Sequence, residues 1–288
     1  MANPFQDAVA VVTGGAQGLG KALCEELGRR GAVVVVTDVR EVEARGVAEE
    51  IVKAGGRASA VALDVRDAVA FEHLIDETIA AQGRLDYLFN NAGLAATGEA
   101  QNLGLDVWRK VLDVNLWGVI HGATVAYARM VRQGRGHIVN VASLAGLSGM
   151  ALGTPYATSK SGVVGFSLTL RAEGRDLGVQ VTAVCPAFIH TRIFDNGTYV
   201  GTTKEGLLSL IPFKFVDVDV AAREVLRGVE RNKALIVFPF YARVLAWLSR
   251  LSPGIAVAVN RKTAQDFRKR SAGKGTTGTA GTAGTAGT

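Results

Sequence analysis

The sequence predicts an α/β fold in which a doubly wound parallel sheet is covered by helices on both faces. Three observations carry that prediction. Short β-branched runs alternate with stretches of helical length over the first 240 residues. The runs are continuously apolar, which marks strands buried on both faces. No Pro/Ser-rich linker interrupts the alternation, so the repeated units belong to one sheet joined by right-handed crossovers.

The elements follow in order. Residues 9–12 form a β-branched run ending at a glycine-rich turn, and residues 21–30 read as a helix stopped by Gly31. Residues 33–36 are the second strand, and the helix 41–54 runs into Gly55-Gly56. Residues 59–63, 87–90, 137–141, 180–184 and 234–238 repeat the strand signal. Helical stretches at about 71–82, 105–131, 157–176 and 218–231 lie between them. This gives a single domain over 1–240, a basic amphipathic extension over 241–272 and a Gly/Thr/Ala tail over 273–288 that is expected to be disordered.

Composition narrows the function. With 288 residues and 48% hydrophobic side chains, the chain can bury a large core. Two cysteines, Cys24 and Cys185, make no disulfide framework and read as small buried hydrophobes, consistent with a reducing compartment. The N-terminus lacks a basic region followed by an apolar stretch, and no apolar run reaches a bilayer's width, so a cytoplasmic location is expected. The net charge of +6 is unevenly placed: from Arg231 onward there are ten Lys/Arg and one acid, Asp266, leaving 22 basic and 25 acidic side chains in the first 230 residues. Basicity therefore belongs to the C-terminal segment, and no nucleic-acid partner is expected. The four histidines, His73, His121, His137 and His190, show no metal-ligand spacing, and no metal is expected.

Thr13-Gly14-Gly15-Ala16-Gln17-Gly18-Leu19-Gly20 lies between the first strand and the first helix. Glycines there allow a pyrophosphate to approach the backbone, and the helix N-terminus offers free N–H groups. Gly15 to Lys21 also matches the start of an NTPase loop, G-x-x-x-x-G-K, but Ala22 stands where Ser or Thr must hold magnesium. Asp38, at the end of the second strand, is placed to accept hydrogen bonds from an adenosine ribose. Its charge disfavours a 2′-phosphate, and Gln17 supplies no cation, so NAD is favoured; Arg40 argues for NADP, the alternative. Tyr156 and Lys160, four apart at the start of a helix, share one face. An ammonium there stabilises phenolate and makes the tyrosine a usable base. Ser143 follows the strand 137–141 at the end where ligands bind in such sheets.

In combination these residues resemble the short-chain dehydrogenase/reductase family. Gly14, Gly18 and Gly20, Asp64-Val65, Asn90-Asn91-Ala92-Gly93, Asn115, Ser143, Tyr156 and Lys160 match its pattern in order and spacing over about residues 6–240. The resemblance implies a Rossmann-like three-layer sandwich with a seven-stranded parallel sheet, assembled as a homotetramer or homodimer. It implies that Tyr156 is the general acid/base, that Ser143 polarises the carbonyl, that Lys160 lowers the Tyr156 pKa and binds the nicotinamide ribose, and that Asn115 holds a relay water. It implies cofactor contacts from Gly14, Gln17, Gly18, Leu19 and Gly20, from Asp38, Val39 and Arg40, and from Asp64 and Val65. Asn91, Ala92, Gly93, Tyr156, Lys160, Pro186, Ile189 and Thr191 complete that set. One departure is Ala187, where the family usually has glycine after Pro186; an altered nicotinamide-side loop is expected.

Residues 188–216, with Phe194, Leu207, Leu208, Ile211, Phe213 and Phe215, correspond to the family's substrate lid. Leu144, Leu147, Met150 and Leu152 are expected in the same pocket. No cation pair is obviously placed to clamp an anion, although Arg192 and Lys214 are candidates, so an apolar secondary alcohol or ketone is the expected substrate. Beyond 240, Tyr241, Val244, Leu245, Trp247, Leu248 and Leu251 share one side of a helical wheel with Arg243 and Arg250 opposite. Packing on its own domain or a neighbouring subunit is the favoured reading; a membrane-surface helix and a closing element are the alternatives. The functional rivals are a non-catalytic dinucleotide-binding sensor or scaffold and a lyase or epimerase on the same fold.

Overall fold

The computed structural model of the protein describes residues 3–195 and 197–274. Residues 275–288, most of the expected disordered tail, lie outside the described residues.

The chain begins with strand β1 (Val9–Thr13), helix α1 (Gly18–Arg29), β2 (Val33–Asp38), α2 (Glu41–Lys53), β3 (Arg57–Ala62) and α3 (Ala68–Gln82). It continues through β4 (Tyr87–Asn90), a two-residue strand β5 (Ala96–Thr97), α4 (Leu105–Leu112), α5 (Gly118–Gln133) and β6 (Gly136–Val141). A short α6 (Ala145–Ser148), the long α7 (Thr154–Gly174) and β7 (Val179–Pro186) follow. The last elements are β8 (Thr198–Tyr199), α8 (Lys204–Leu208), α9 (Val218–Glu230), β9 (Leu235–Phe238), α10 (Phe240–Leu251) and α11 (Pro253–Lys274).

Seven strands form one all-parallel sheet in the order β3-β2-β1-β4-β6-β7-β9. Every residue of β1 is buried, as the unbroken Val-Ala-Val-Val-Thr run requires of a central strand. One apolar layer gathers Leu23, Leu27, Val47, Ile51, Val225 and Leu226 from α1, α2 and α9. The opposite layer gathers Phe71, Leu74, Ile75, Ala123, Ala126 and Met130 from α3 and α5. The order of windings reverses between β1 and β4, and the crevice at their carboxyl ends is where ligands enter such sheets.

The differences from the sequence expectation are local. The helix expected over 105–131 is interrupted by a π-helical turn at Asp113–Trp117, so α4 and α5 are separate. Helix α3 starts earlier than expected because the Asp67 side chain accepts from Val69 N and Ala70 N as an N-cap. The segment 241–272 is two helices, α10 and α11, broken at Ser252-Pro253, where proline ends one helix and opens the next. Among the described residues no single helix is long and apolar enough to cross a membrane. Cys24 and Cys185 are both buried and free.

Candidate active site

At the first crossover the chain turns through Gly14 at φ +64° and Gly18 at φ +54°, angles that side chains resist. Space forbids them as well. A Cβ on Gly14 would sit 2.9 Å from Ala92 Cα, and one on Gly20 would sit 2.1 Å from Gly14 O. Gly20 therefore packs the helix against the turn rather than lining the crevice. Asn91 ties the two loops together, its Nδ2 donating to Thr13 O at 2.9 Å and Gly14 O at 3.1 Å. The Thr13 hydroxyl oxygen accepts from Asn91 N and Ala92 N, fixing the turn at the end of β4. Helix α1 begins without a side-chain cap and without an acidic residue in its first turn, which leaves its positive end open to an anion.

Asp38 ends β2 buried. Its carboxylate accepts from Ala16 N at 3.2 Å, Arg40 N at 3.1 Å and the Arg40 guanidinium at 3.3 Å. Arg40 also donates to Gln17 Oε1 at 2.7 Å, so its fork is held between two side chains of the nucleotide end. Further along the edge, Arg66 forks onto Asp64 and holds that carboxyl below the usual carboxylate range.

The second cluster forms where β6 hands over to α7. Ser143 is buried just past the end of β6, its hydroxyl oxygen accepting from Ala145 N at 3.1 Å. Tyr156 and Lys160 lie in the first turns of α7, which Pro155 opens. Burial raises the Tyr156 phenol above its ordinary value, and a hydrogen bond with Ser143 partly offsets that. Burial also lowers Lys160 to about 8. Its Nζ donates to Val141 O at 2.7 Å and lies 5.7 Å from the Tyr156 ring centroid.

Asn115 is fully buried in the π-helical turn. It accepts from Leu94 N at 2.7 Å and donates to Leu94 O at 2.9 Å and to Ser159 Oγ at 3.2 Å. It braces the loop after β4 from behind, and with Gly20 it is the expected site residue that does not line the crevice. The others line one cavity of about 690 Å³: Gly14, Gln17, Gly18 and Leu19; Asp38, Val39 and Arg40; Asp64 and Val65; Asn91, Ala92 and Gly93; Ser143, Tyr156 and Lys160; Pro186, Ile189 and Thr191.

Ala187 lines the same cavity, and its backbone N donates to Phe238 O at 3.0 Å. Among the described residues, positive φ at non-glycine positions is confined to Asp7, Leu152 and Asn232. The loop thus takes a conformation that alanine adopts without strain, and glycine is not needed there.

Of the expected substrate-side residues, Leu144, Met150, Phe194, Leu207, Ile211, Phe213 and Arg192 line the cavity. Leu147, Leu152, Leu208, Phe215 and Lys214 do not; Leu147 packs against the α7 core, and Phe215 lies against His190 with ring centroids 5.0 Å apart. The lid is pinned by β5 pairing with β8 and by a bridge between Ile189 and Val216. The far wall is formed by Leu245 of α10 and Ala256, Val259, Asn260 and Thr263 of α11, a closing role that is only an alternative expectation for this segment. The Asn260 amide accepts from Ala151 N at 2.6 Å and donates to Ser148 O at 3.1 Å. A lone asparagine in a helix carries no sequence signal for such a latch. Among the described residues no group of three or more His, Cys, Asp or Glu side chains is arranged to hold a metal ion.

A parallel sheet that opens at its switch point onto a glycine cradle and a half-buried tyrosine beside a buried lysine is the architecture of dinucleotide-dependent oxidoreductases. Within that class, the chain belongs to the short chain dehydrogenase family, whose profile matches residues 8–198. It is 36% identical over 192 residues to the (2S)-[(R)-hydroxy(phenyl)methyl]succinyl-CoA dehydrogenase subunit BbsD of Thauera aromatica, covering 67% of this chain and 77% of that one. It is 37% identical over 259 residues to the probable oxidoreductase EphD of Mycobacterium tuberculosis, covering 86% of this chain but 44% of that protein. A short chain dehydrogenase/reductase from Burkholderia phymatum, crystallised with NAD, superimposes with a TM-score of 0.81 at 28% identity, covering 88% of this chain and 96% of that one.

Proposed function

We propose that the protein moves a hydride between a nicotinamide dinucleotide, NAD in preference to NADP, and an apolar secondary alcohol or its ketone. The observation that carries this reading is that Ser143, Tyr156 and Lys160 open into the same cavity as the glycine cradle and Asp38. The residues present suit a dinucleotide. The cradle has no room for Cβ atoms at Gly14 or Gly20, and the uncapped N-terminus of α1 faces the place of a pyrophosphate. Asp38 would accept from the adenosine ribose, and Lys160 would donate to the nicotinamide ribose. The bound nicotinamide supplies or accepts the hydride.

The protein's own contribution is positioning and proton transfer. In reduction, the Tyr156 phenol donates its proton to the carbonyl oxygen, and the Ser143 hydroxyl donates a hydrogen bond to the same oxygen as charge develops on it. In oxidation, Tyr156 takes the hydroxyl proton. Burial raises its pKa, which disfavours the phenolate. The substrate half is walled by Leu144, Met150, Phe194, Leu207, Ile211 and Phe213, which supports an apolar substrate. NAD preference is supported by the Arg40 fork being engaged by Asp38 and Gln17.

Titration with NADH and NADPH, followed by nicotinamide fluorescence, tests the cofactor half: tighter NADH binding is expected, and no binding of either would overturn the reading. Tyr156→Phe tests the chemistry. It is expected to keep cofactor binding and to lower kcat by at least about 100-fold; an unchanged kcat would remove Tyr156 from the mechanism.

A further inference from the structure

Helix α10 divides its apolar side chains between two destinations. Tyr241, Leu245 and Leu248 turn toward the domain, whereas Phe240, Val244, Trp247 and Leu251 face outward. These four, spaced by four, three and four residues, form one stripe, with Phe240 74% and Trp247 61% exposed. Of the favoured reading for this helix, packing on its own domain or on a neighbouring subunit, the first arm does not hold for Val244, Trp247 and Leu251. Ile255, Val257 and Val259 at the start of α11 extend the exposed apolar surface around the bend.

We propose that α10 and the first turns of α11 seat the protein on an anionic lipid surface. Together Phe240–Leu251 and Pro253–Arg270 have the length and apolar composition of a membrane span, but they meet at 119°. Twelve residues of α10 rise only about 18 Å, short of the ~30 Å hydrocarbon core. A bent pair with a tryptophan on its outward stripe lies in the interface plane instead. Charge selects the lipid. Arg250, Arg261, Lys262 and Lys269 are exposed and have no carboxylate partner among the described residues. The only acid after Arg231 is Asp266. A second copy seated here about a twofold axis would set this basic segment against itself, which disfavours self-association through this face. Anionic headgroups complement it.

The same segment walls the cavity through Leu245, Ala256 and Val259, and Val259 is also 46% exposed. The segment that carries the docking stripe is therefore also a wall of the cavity. The docking itself does not rest on the hydride-transfer reading.

Co-sedimentation of the full chain with phosphatidylcholine vesicles, with and without about one third phosphatidylglycerol, tests the proposal. Sedimentation with the anionic vesicles and a blue shift of Trp247 emission are expected. Trp247→Ser with Leu251→Ser, both outside the cavity lining, should weaken partitioning at least about tenfold. Arg250→Glu with Lys262→Glu should weaken it by more than about fivefold per charge removed. Both double variants should keep the wild-type thermal transition and cofactor affinity. A wild-type protein that stays in the supernatant overturns the proposal. So does a Trp247→Ser/Leu251→Ser variant that dissociates an oligomer in light scattering while its vesicle partitioning is unchanged, since the stripe then belongs to a second copy.

Discussion

At the residue scale, Asp38 holds the nucleotide end together with one carboxylate. It accepts from Ala16 N in the glycine turn and from both the backbone and the guanidinium of Arg40. The Arg40 fork is thereby drawn toward Asp38 and Gln17, away from the place of a 2′-phosphate. Asp38→Asn keeps an oxygen for Ala16 N, removes the negative charge and loosens Arg40. It is expected to raise the ratio of NADPH to NADH affinity by at least about tenfold, as a freed guanidinium pairs with phosphate. The ratio is the quantity to measure, because any general loosening of the turn lowers both affinities alike. A ratio that does not move would mean that Arg40, not Asp38, already sets the preference. These side chains were legible in the sequence because a carboxylate after the second strand has a fixed place in such sheets. The bracing role of Asn115 was not: its bonds to Leu94 depend on a π-helical turn, and five-residue hydrogen bonding leaves no compositional mark.

At the element scale, the strands were legible because their β-branched runs are buried on both faces and need no alternation to show themselves. The C-terminal helices were legible only as amphipathic sequence. A wheel shows which residues share a side, but not that Leu245 meets the domain while Val244 and Trp247 meet solvent, since that depends on where α10 rests. Nor does it show that α11 folds back as the far wall of the cavity. The Asn260 latch, which joins α11 to the backbone at Ser148 and Ala151, fixes that wall over the substrate half. Asn260→Ala removes one acceptor and one donor from backbone groups that then face the cavity. KM for the substrate is expected to rise by about five- to twentyfold, with kcat changing far less, because the wall positions substrate and touches no reacting atom. Equal losses in kcat and kcat/KM would instead place Asn260 in the chemistry.

At the scale of the whole molecule, one buried imidazole links acidity to the integrity of the sheet. His137 on β6 lies 2.8 Å from Thr182 Oγ1 on β7, and the Thr182 hydroxyl donates to Lys233 O, just before β9. With that single hydroxyl proton committed to Lys233, His137 donates from Nε2–H, so it is neutral with its proton on Nε2. Burial, with a smaller contribution from Arg171, lowers its pKa from 6.5 to about 3. Between those values the unfolded chain carries a proton there that the folded chain does not. Stability therefore rises with pH across the window and is lost as pH falls from 6.5 toward 3, by up to about 1.4 kcal/mol per pH unit. The carboxylates held low by arginines, Asp64 and Asp76 among them, add their losses only near and below their ordinary 3.8, so the upper part of the window belongs to His137. Thermal melts of the wild type should fall in midpoint between about pH 6.5 and 5. His137→Gln, whose amide still donates to Thr182 but does not titrate, should lose less over the same interval. Identical slopes for the two proteins would mean that the acid sensitivity arises elsewhere than in this link across β6, β7 and β9.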